Sequence, residues 1–129
     1  MPEFTSETDN KIRYTWIGHS TAVINIANKV NILIDPVFKD RCSPFKNYGP
    51  KRYRETPCKI DQLPHIDIVL VSHDHYDHLE DYALSELESL FQPEFFAGLE
   101  SRKIFPKNCK MNEMDWTDTK KITVNGFEL

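Results

Sequence analysis

A chain of 129 residues, 40% hydrophobic and 28% charged, is long enough to bury one core and too apolar to stay unfolded. No apolar run approaches the roughly 20 residues of a membrane-crossing helix, and the polar, acidic start does not read as a signal peptide. Cys42, Cys58 and Cys109 are odd in number, widely spaced and without a C-x-x-C pair, so reduced thiols of a cytoplasmic protein are expected, not a disulfide framework or a cysteine zinc site. The net charge of −4 conceals an asymmetry: residues 36–60 hold seven Lys or Arg against Asp40 and Glu55, inside an otherwise acidic chain.

In chain order, residues 1–10 read as a loose segment and 11–129 as one structured unit. Residues 11–17 alternate, with Ile12, Tyr14 and Trp16 on one face, and predict a strand. Gly18-His19-Ser20 turns the chain into a second strand at 21–26, and Ala27-Asn28-Lys29 turns it into a third at 30–34. Asp35-Pro36 stops that strand, because proline lacks an N–H and restricts the residue before it. A long loop follows, punctuated by Pro44, Gly49, Pro50 and Pro57, with one helical turn at 59–63. The apolar run 66–71 after Pro64 predicts a buried strand, and 80–91 has helical spacing with acidic residues crowding its amino-terminal half. Pro93 ends that helix. A short strand is expected at 94–97, a short helix at 99–104, and a hairpin with arms at 121–124 and 127–129 around Asn125-Gly126.

The chemistry sits between the buried strand and the helix, in Ser72-His73-Asp74-His75-Tyr76-Asp77-His78-Leu79. Ligands are expected just past the carboxyl ends of strands in an α/β sheet. His73 and His75, at i and i+2 on extended backbone, point the same way and can share one metal ion. Asp77 and His78 follow a change of direction and suit a neighbouring ion roughly 3.5–4 Å away. Neutral imidazole and carboxylate donors fit zinc, and a catalytic zinc keeps an open position for water. A solvated, charge-rich loop capping a strand is the bland alternative, and the H-x-H-x-D-H spacing after a predicted strand weighs against it. Asp35, at another strand end, can accept the second N–H of a ligating imidazole or simply form the turn before Pro36. His19 either lines the same cleft or fills its turn, and His65 reads as an ordinary surface residue.

The loop 36–60 interleaves Phe38, Phe45, Tyr48 and Tyr53 with its cations, among them Lys46, Lys51, Arg52 and Arg54. It can grip phosphate headgroups at a membrane, bind nucleic acid, or be a packed and solvated loop. No nucleic-acid motif accompanies the charge, so nucleic acid is not an expected partner.

The string His73 to His78 resembles the signature of the metallo-β-lactamase fold. Five segments resemble its N-acyl phosphatidylethanolamine-hydrolysing phospholipase D branch: Thr15-Trp16-Ile17-Gly18-His19-Ser20-Thr21, Ile34-Asp35-Pro36, Ser43-Pro44, Tyr48-Gly49-Pro50-Lys51-Arg52-Tyr53-Arg54 with Pro57-Cys58, and Leu63-Pro64-His65-Ile66-Asp67. The resemblance covers residues 12–91 well and the remainder loosely; bacterial relatives of unknown substrate share the narrower segment too. It implies an α/β fold, the αβ/βα sandwich of that superfamily, of which this chain holds the first αβ half, with two zinc ions at one edge. It assigns His73 and His75 to one ion and Asp77, also catalytic, with His78 to the other. It implies hydrolysis of N-acyl phosphatidylethanolamine to an N-acylethanolamine and phosphatidic acid at a membrane surface, with the protein peripheral on the cytoplasmic side.

The family's third histidine, bridging aspartate and last histidine map to no residue of this chain. An amino-terminal portion with an uncovered sheet face is therefore expected. Within the chain, Glu80, Asp81 or a homodimer mate are the candidates to complete the site. Two other readings stay open: a hydrolase of this fold acting on a soluble phosphoester or lactone, and a non-catalytic short form that binds metal, membrane or a partner.

Overall fold

The computed structural model describes residues 1, 2, 4, 11–43, 45 and 48–129. The expectation of a loose segment falls almost wholly outside these residues, as does Lys46. Strands β1 (Ile12–Gly18), β2 (Thr21–Ile26) and β3 (Val30–Ile34) form the antiparallel meander that their alternation predicts. The turn between β2 and β3 is closed by Lys29 N–H donating to Ile26 O at 2.9 Å, with Ala27 and Asn28 both at positive φ. From β3 the chain crosses to parallel β4 (Ile68–Leu70), passing a single 3-10 turn at Ile60–Gln62. Helix α1 (Asp81–Phe91) carries it to parallel β5 (Glu94–Gly98), and β6 (Lys110–Met114) adds a sixth strand at the edge, in the order β1-β2-β3-β4-β5-β6. A separate hairpin, β7 (Thr123–Val124) and β8 (Phe127–Glu128), turns at Asn125-Gly126, both with positive φ, as that dipeptide allows.

The buried strand expected at 66–71 is a ladder of only three residues, extended at its ends by Asp67 N–H to Asn31 O and Val71 N–H to Phe96 O. One other expectation is corrected, and one strand is unexpected. The helix expected at 99–104 is a single 3-10 turn at Arg102–Ile104, since Glu100 takes a positive φ that breaks a helix. Strand β6 has no counterpart in the sequence reading, because three of its five residues are polar and it lies at the sheet edge.

The two sheet faces differ. On one, register aligns Val23, Leu33, Val69, Phe95 and Met111 in a row, and α1 packs Ala83, Leu84 and Leu87 onto that cluster. Full burial of a leucine contributes about 1.5–3 kcal/mol, so α1 is held mainly by its apolar stripe. Gln92, in the left-handed region, ends the helix by donating its N–H to Glu88 O. The arrangement is one αβ half: a six-stranded mixed sheet with its helix on one side. The other face is only partly open. The hairpin lays Ile122, Val124, Phe127 and Leu129 against Val30, Ile68 and Phe96, whereas Ile12, Tyr14 and Trp16 of β1 remain 74%, 62% and 64% exposed. No described helix is long and apolar enough to cross a membrane.

Beside the hairpin, Lys120 Nζ lies 3.2 Å from Glu94 Oε1 and 5.7 Å from the Phe96 ring centre. Burial pushes the Glu94 carboxyl up, but hydrogen bonds from Asn112 and Lys120 and the Lys120 charge outweigh it and hold the group below its ordinary range. A depressed carboxyl favours the folded chain above its unfolded value of about 4.3, and that stability is lost as pH falls through the folded value. Lys120→Met should therefore cost well under about 1 kcal/mol at neutral pH, the pair being partly exposed. The difference from the parent should close below about pH 4. Urea midpoints across pH check this; a gap that persists in acid would mean the loss is one of packing on Phe96.

Candidate metal centre

The parallel pairing of β3 and β4 brings their carboxyl ends side by side, with Asp35 N–H donating to Leu70 O at 2.9 Å. Asp35 is buried and holds a φ of 43°, a left-handed conformation costing on the order of 1 kcal/mol that surrounding bonds must offset. Thr21 Oγ1 donates to Asp35 O at 2.7 Å and accepts Val37 N–H at 3.1 Å, which fixes the backbone on both sides of Pro36. The carboxylate faces the next strand. Ser72 N–H donates to Oδ1 at 2.7 Å, Ser72 Oγ–H to Oδ2 at 2.8 Å, and His78 Nδ1 lies 2.7 Å from Oδ2. An imidazole that gives its Nδ1 proton to a carboxylate presents Nε2 as a bare lone pair, the form a metal binds.

After Ser72 the backbone bends at Asp74 and turns through Tyr76–His78, where His78 and Leu79 N–H groups both reach His75 O at 2.9 and 2.8 Å. The extended backbone expected from His73 to His75 is thus a bend, yet their rings lie 4.6 Å apart, and His73 and His78 rings 4.0 Å apart. Buried Leu79 anchors the end of the turn in the core. Among the described residues two candidate donor groups result, His73–His75–Asp77 and His19–Asp77–His78, with ligand atoms in each group all within 4.8 Å of one another. Asp77 belongs to both, so it lies within reach of both positions that the resemblance divides between two ions. The donor set of imidazoles and one carboxylate fits zinc and other borderline cations. Asp77 is held below the ordinary carboxylate range, chiefly by its hydrogen bond to His19, against a smaller opposing effect of burial.

The sequence reading leaves Ser72, Ser20 and Glu80 without these roles. Ser72 Oγ touches Asp35 and lies 2.9 Å from His73 Nδ1, so it links the two strand ends. Ser20 Oγ–H donates to Asp77 O at 2.6 Å. Glu80, expected among the candidates to complete the site, is buried, and its Oε2 accepts Phe38 and Lys39 N–H at 2.7 and 2.9 Å. It straps the long loop to the start of α1, and Asp81 pairs with Lys39 at 3.2 Å, so neither belongs to a donor group among the described residues.

The histidine loop forms one wall of an open cleft of about 980 Å³, and the basic loop forms the other with Lys39, Arg41, Lys51, Arg52 and Tyr53. Arg52 is largely occupied: it donates to Lys39 O at 2.9 Å and to Val37 O, and Arg41 donates to Gly49 O at 2.6 Å. Lys51 and Arg54 are exposed, as is Tyr53 at 97%, but Arg54 does not line the cleft. Cys42 also faces the cleft; burial pushes its thiol up more than Arg52 pulls it down, which favours the uncharged form.

The beta-lactamase superfamily domain matches residues 30–129. The chain is 36% identical over 121 residues to N-acyl-phosphatidylethanolamine-hydrolyzing phospholipase D 1 of Caenorhabditis elegans, a match covering 87% of this chain and 33% of that protein. It is 39% identical over 67 residues to a metal-dependent hydrolase of Saccharolobus solfataricus, covering 51% of this chain and 24% of that one. The solved structure of Igni18, a metallo hydrolase from Ignicoccus hospitalis, superposes with a TM-score of 0.60 at 18% identity, over 87% of this chain and 42% of that chain, and so shares the fold. The chain thus spans about a third or less of the length of these sequence relatives. The α/β half-sandwich, the histidine loop beyond a strand end and the domain match over most of the sequence agree: the chain belongs to the metallo-β-lactamase superfamily.

Proposed function

We propose that this chain supplies the amino-terminal metal-binding part of a zinc-dependent phospholipase D that cleaves N-acyl phosphatidylethanolamine to an N-acylethanolamine and phosphatidic acid. The 36% identity over 87% of the chain to a relative of that activity carries the reading. His73 and His75 would hold one zinc and Asp77 with His78 the other. When bound, such ions act as Lewis acids and lower the pKa of a bound water. The chain's own residues do the positioning. Asp35 and Ser72 hold the imidazoles of His78 and His73, and Glu80 holds the basic loop across the cleft. Asp77, held below the ordinary carboxylate range, would stay ionised beside them and accept a hydrogen bond from a water there. Lys51 and Arg54 would meet anionic headgroups while exposed Phe45, Tyr48 and Tyr53 enter the membrane interface, a peripheral attachment.

The test joins residues 1–129 to the carboxy-terminal remainder of the C. elegans relative and supplies zinc with vesicles containing N-acyl phosphatidylethanolamine. Coupled release of both products, abolished by His75→Ala, is the expected result. Turnover confined to a soluble phosphodiester or lactone would replace the lipid substrate with a soluble one. The 129-residue chain alone is expected to bind zinc without turnover, because His73, His75, Asp77 and His78 fall short of the roughly three protein donors that each catalytic zinc takes.

A further inference from the structure

We propose that His19 joins Asp77 and His78 in a three-donor cation site, making His19 a metal ligand. The inference rests on the metal-centre reading of the histidine loop and extends it to a residue from the β1–β2 turn, at the same end of the sheet as the carboxyl ends of β3 and β4. His19 occupies the turn between β1 and β2. Gly18, at a φ of 145° that only glycine adopts readily, and His19, at 51°, reverse the chain there. The turn is anchored twice: Trp16 Nε1–H donates to His19 O at 2.9 Å, and Ser20 Oγ–H donates to Asp77 O at 2.6 Å. The second bond ties the turn directly to the histidine loop, so His19 is held against Asp77 rather than swinging free in the cleft.

The distances suit a coordination shell. His19 Nε2 lies 3.1 Å from Asp77 Oδ2, and His78 Nε2 lies 3.7 Å from the same oxygen. Ligand atoms about 2.0–2.2 Å from a tetrahedral zinc stand roughly 3.3–3.6 Å from one another, between these two values. His78 Nδ1 is committed to Asp35, so its Nε2 is the atom turned towards the group. Three protein donors with a fourth position left over is the pattern of an open, water-holding site. The competing account makes His19 only a hydrogen-bond donor that orients Asp77. That account keeps the geometry but gives His19 no bond to the ion, and the two differ in what surrounds the metal.

The experiment uses the 129-residue chain with exposed His73 replaced by alanine, which breaks the other donor group and leaves this one intact. His73→Ala is expected to bind one zinc, with X-ray absorption at the zinc edge showing two imidazoles. Adding His19→Gln, which preserves a hydrogen-bond donor but is a poor zinc ligand, should weaken binding at least ten-fold and leave one imidazole. Should the glutamine variant lose its circular dichroism, His19→Asn, better suited to the positive φ, takes its place. An unchanged imidazole count in the double variant, even with weaker binding, would overturn the assignment and leave His19 an orienting residue. So would failure of His73→Ala to bind zinc while the parent does. A parent chain that binds no zinc would overturn the metal-centre reading and this assignment with it.

Discussion

Asp35→Asn is expected to weaken the proposed zinc binding by about 10- to 100-fold while leaving every candidate donor in place. The carboxylate accepts three bonds, two from Ser72 and one from His78 Nδ1. An amide of the same shape has one oxygen, and its nitrogen meets His78 or Ser72 donor to donor. With the nitrogen at the Oδ2 position, His78 has no acceptor for its Nδ1 proton and loses the tautomer that frees Nε2; with the nitrogen at the Oδ1 position, the Ser72 N–H that ties the two strand ends together is left unpaired. The buried mismatch should also cost about 1–3 kcal/mol of stability. Competition with a chelator reads the affinity, and urea unfolding of the metal-free chain reads the stability. An unchanged affinity would mean that the turn through Tyr76–His78 alone orients the ring. The measurement thus separates what strand pairing contributes to the site from what the local loop contributes.

The second large effect is in the core. Phe95→Ala should cost about 3–5 kcal/mol. Phe95 is fully buried in β5, stands in the central row of the covered face, and meets Phe105 edge-on at 5.4 Å. Against a typical domain stability of about 5–15 kcal/mol, that loss removes much of the margin. Tyr14→Ala, at a large aromatic on the open face, should by contrast stay within about 0.5 kcal/mol. Thermal or urea midpoints compare the two. A Tyr14→Ala cost that rises with protein concentration would show that a second copy of the chain covers β1, since association makes stability concentration-dependent.

Which features were legible in the sequence follows from how far apart the interacting residues are. Alternation and turn residues mark β1 to β3, and the turn at Asn125-Gly126 marks the last hairpin, because side-chain period and positive φ are local properties. Helix α1 is equally local, with its apolar stripe and Pro93 behind it. The histidine loop declares its candidate donors because three histidines and two aspartates fall within six residues. Strand β6 escapes notice because an edge strand takes its place from backbone pairing with β5, which its polar side chains do not announce.

Charge near the cleft was also legible, but its use was not. Arg52 is one cation of a basic run in the sequence; only the folded loop shows it donating to the carbonyls of Val37 and Lys39. Glu80 and Asp81 are neighbouring acids, yet one is buried under the loop and the other pairs with Lys39 outside it. The residues around the metal loop show the same division. The sequence by itself determined the candidate donors at 73–78 and the strand and helix that flank them. Parallel pairing of β3 with β4 decided that Asp35 meets His78, and the β1–β2 turn decided that His19 meets Asp77, contacts spanning 43 and 58 positions. Such contacts exist only once the sheet has formed, because nothing in the local chain holds those side chains within bonding distance.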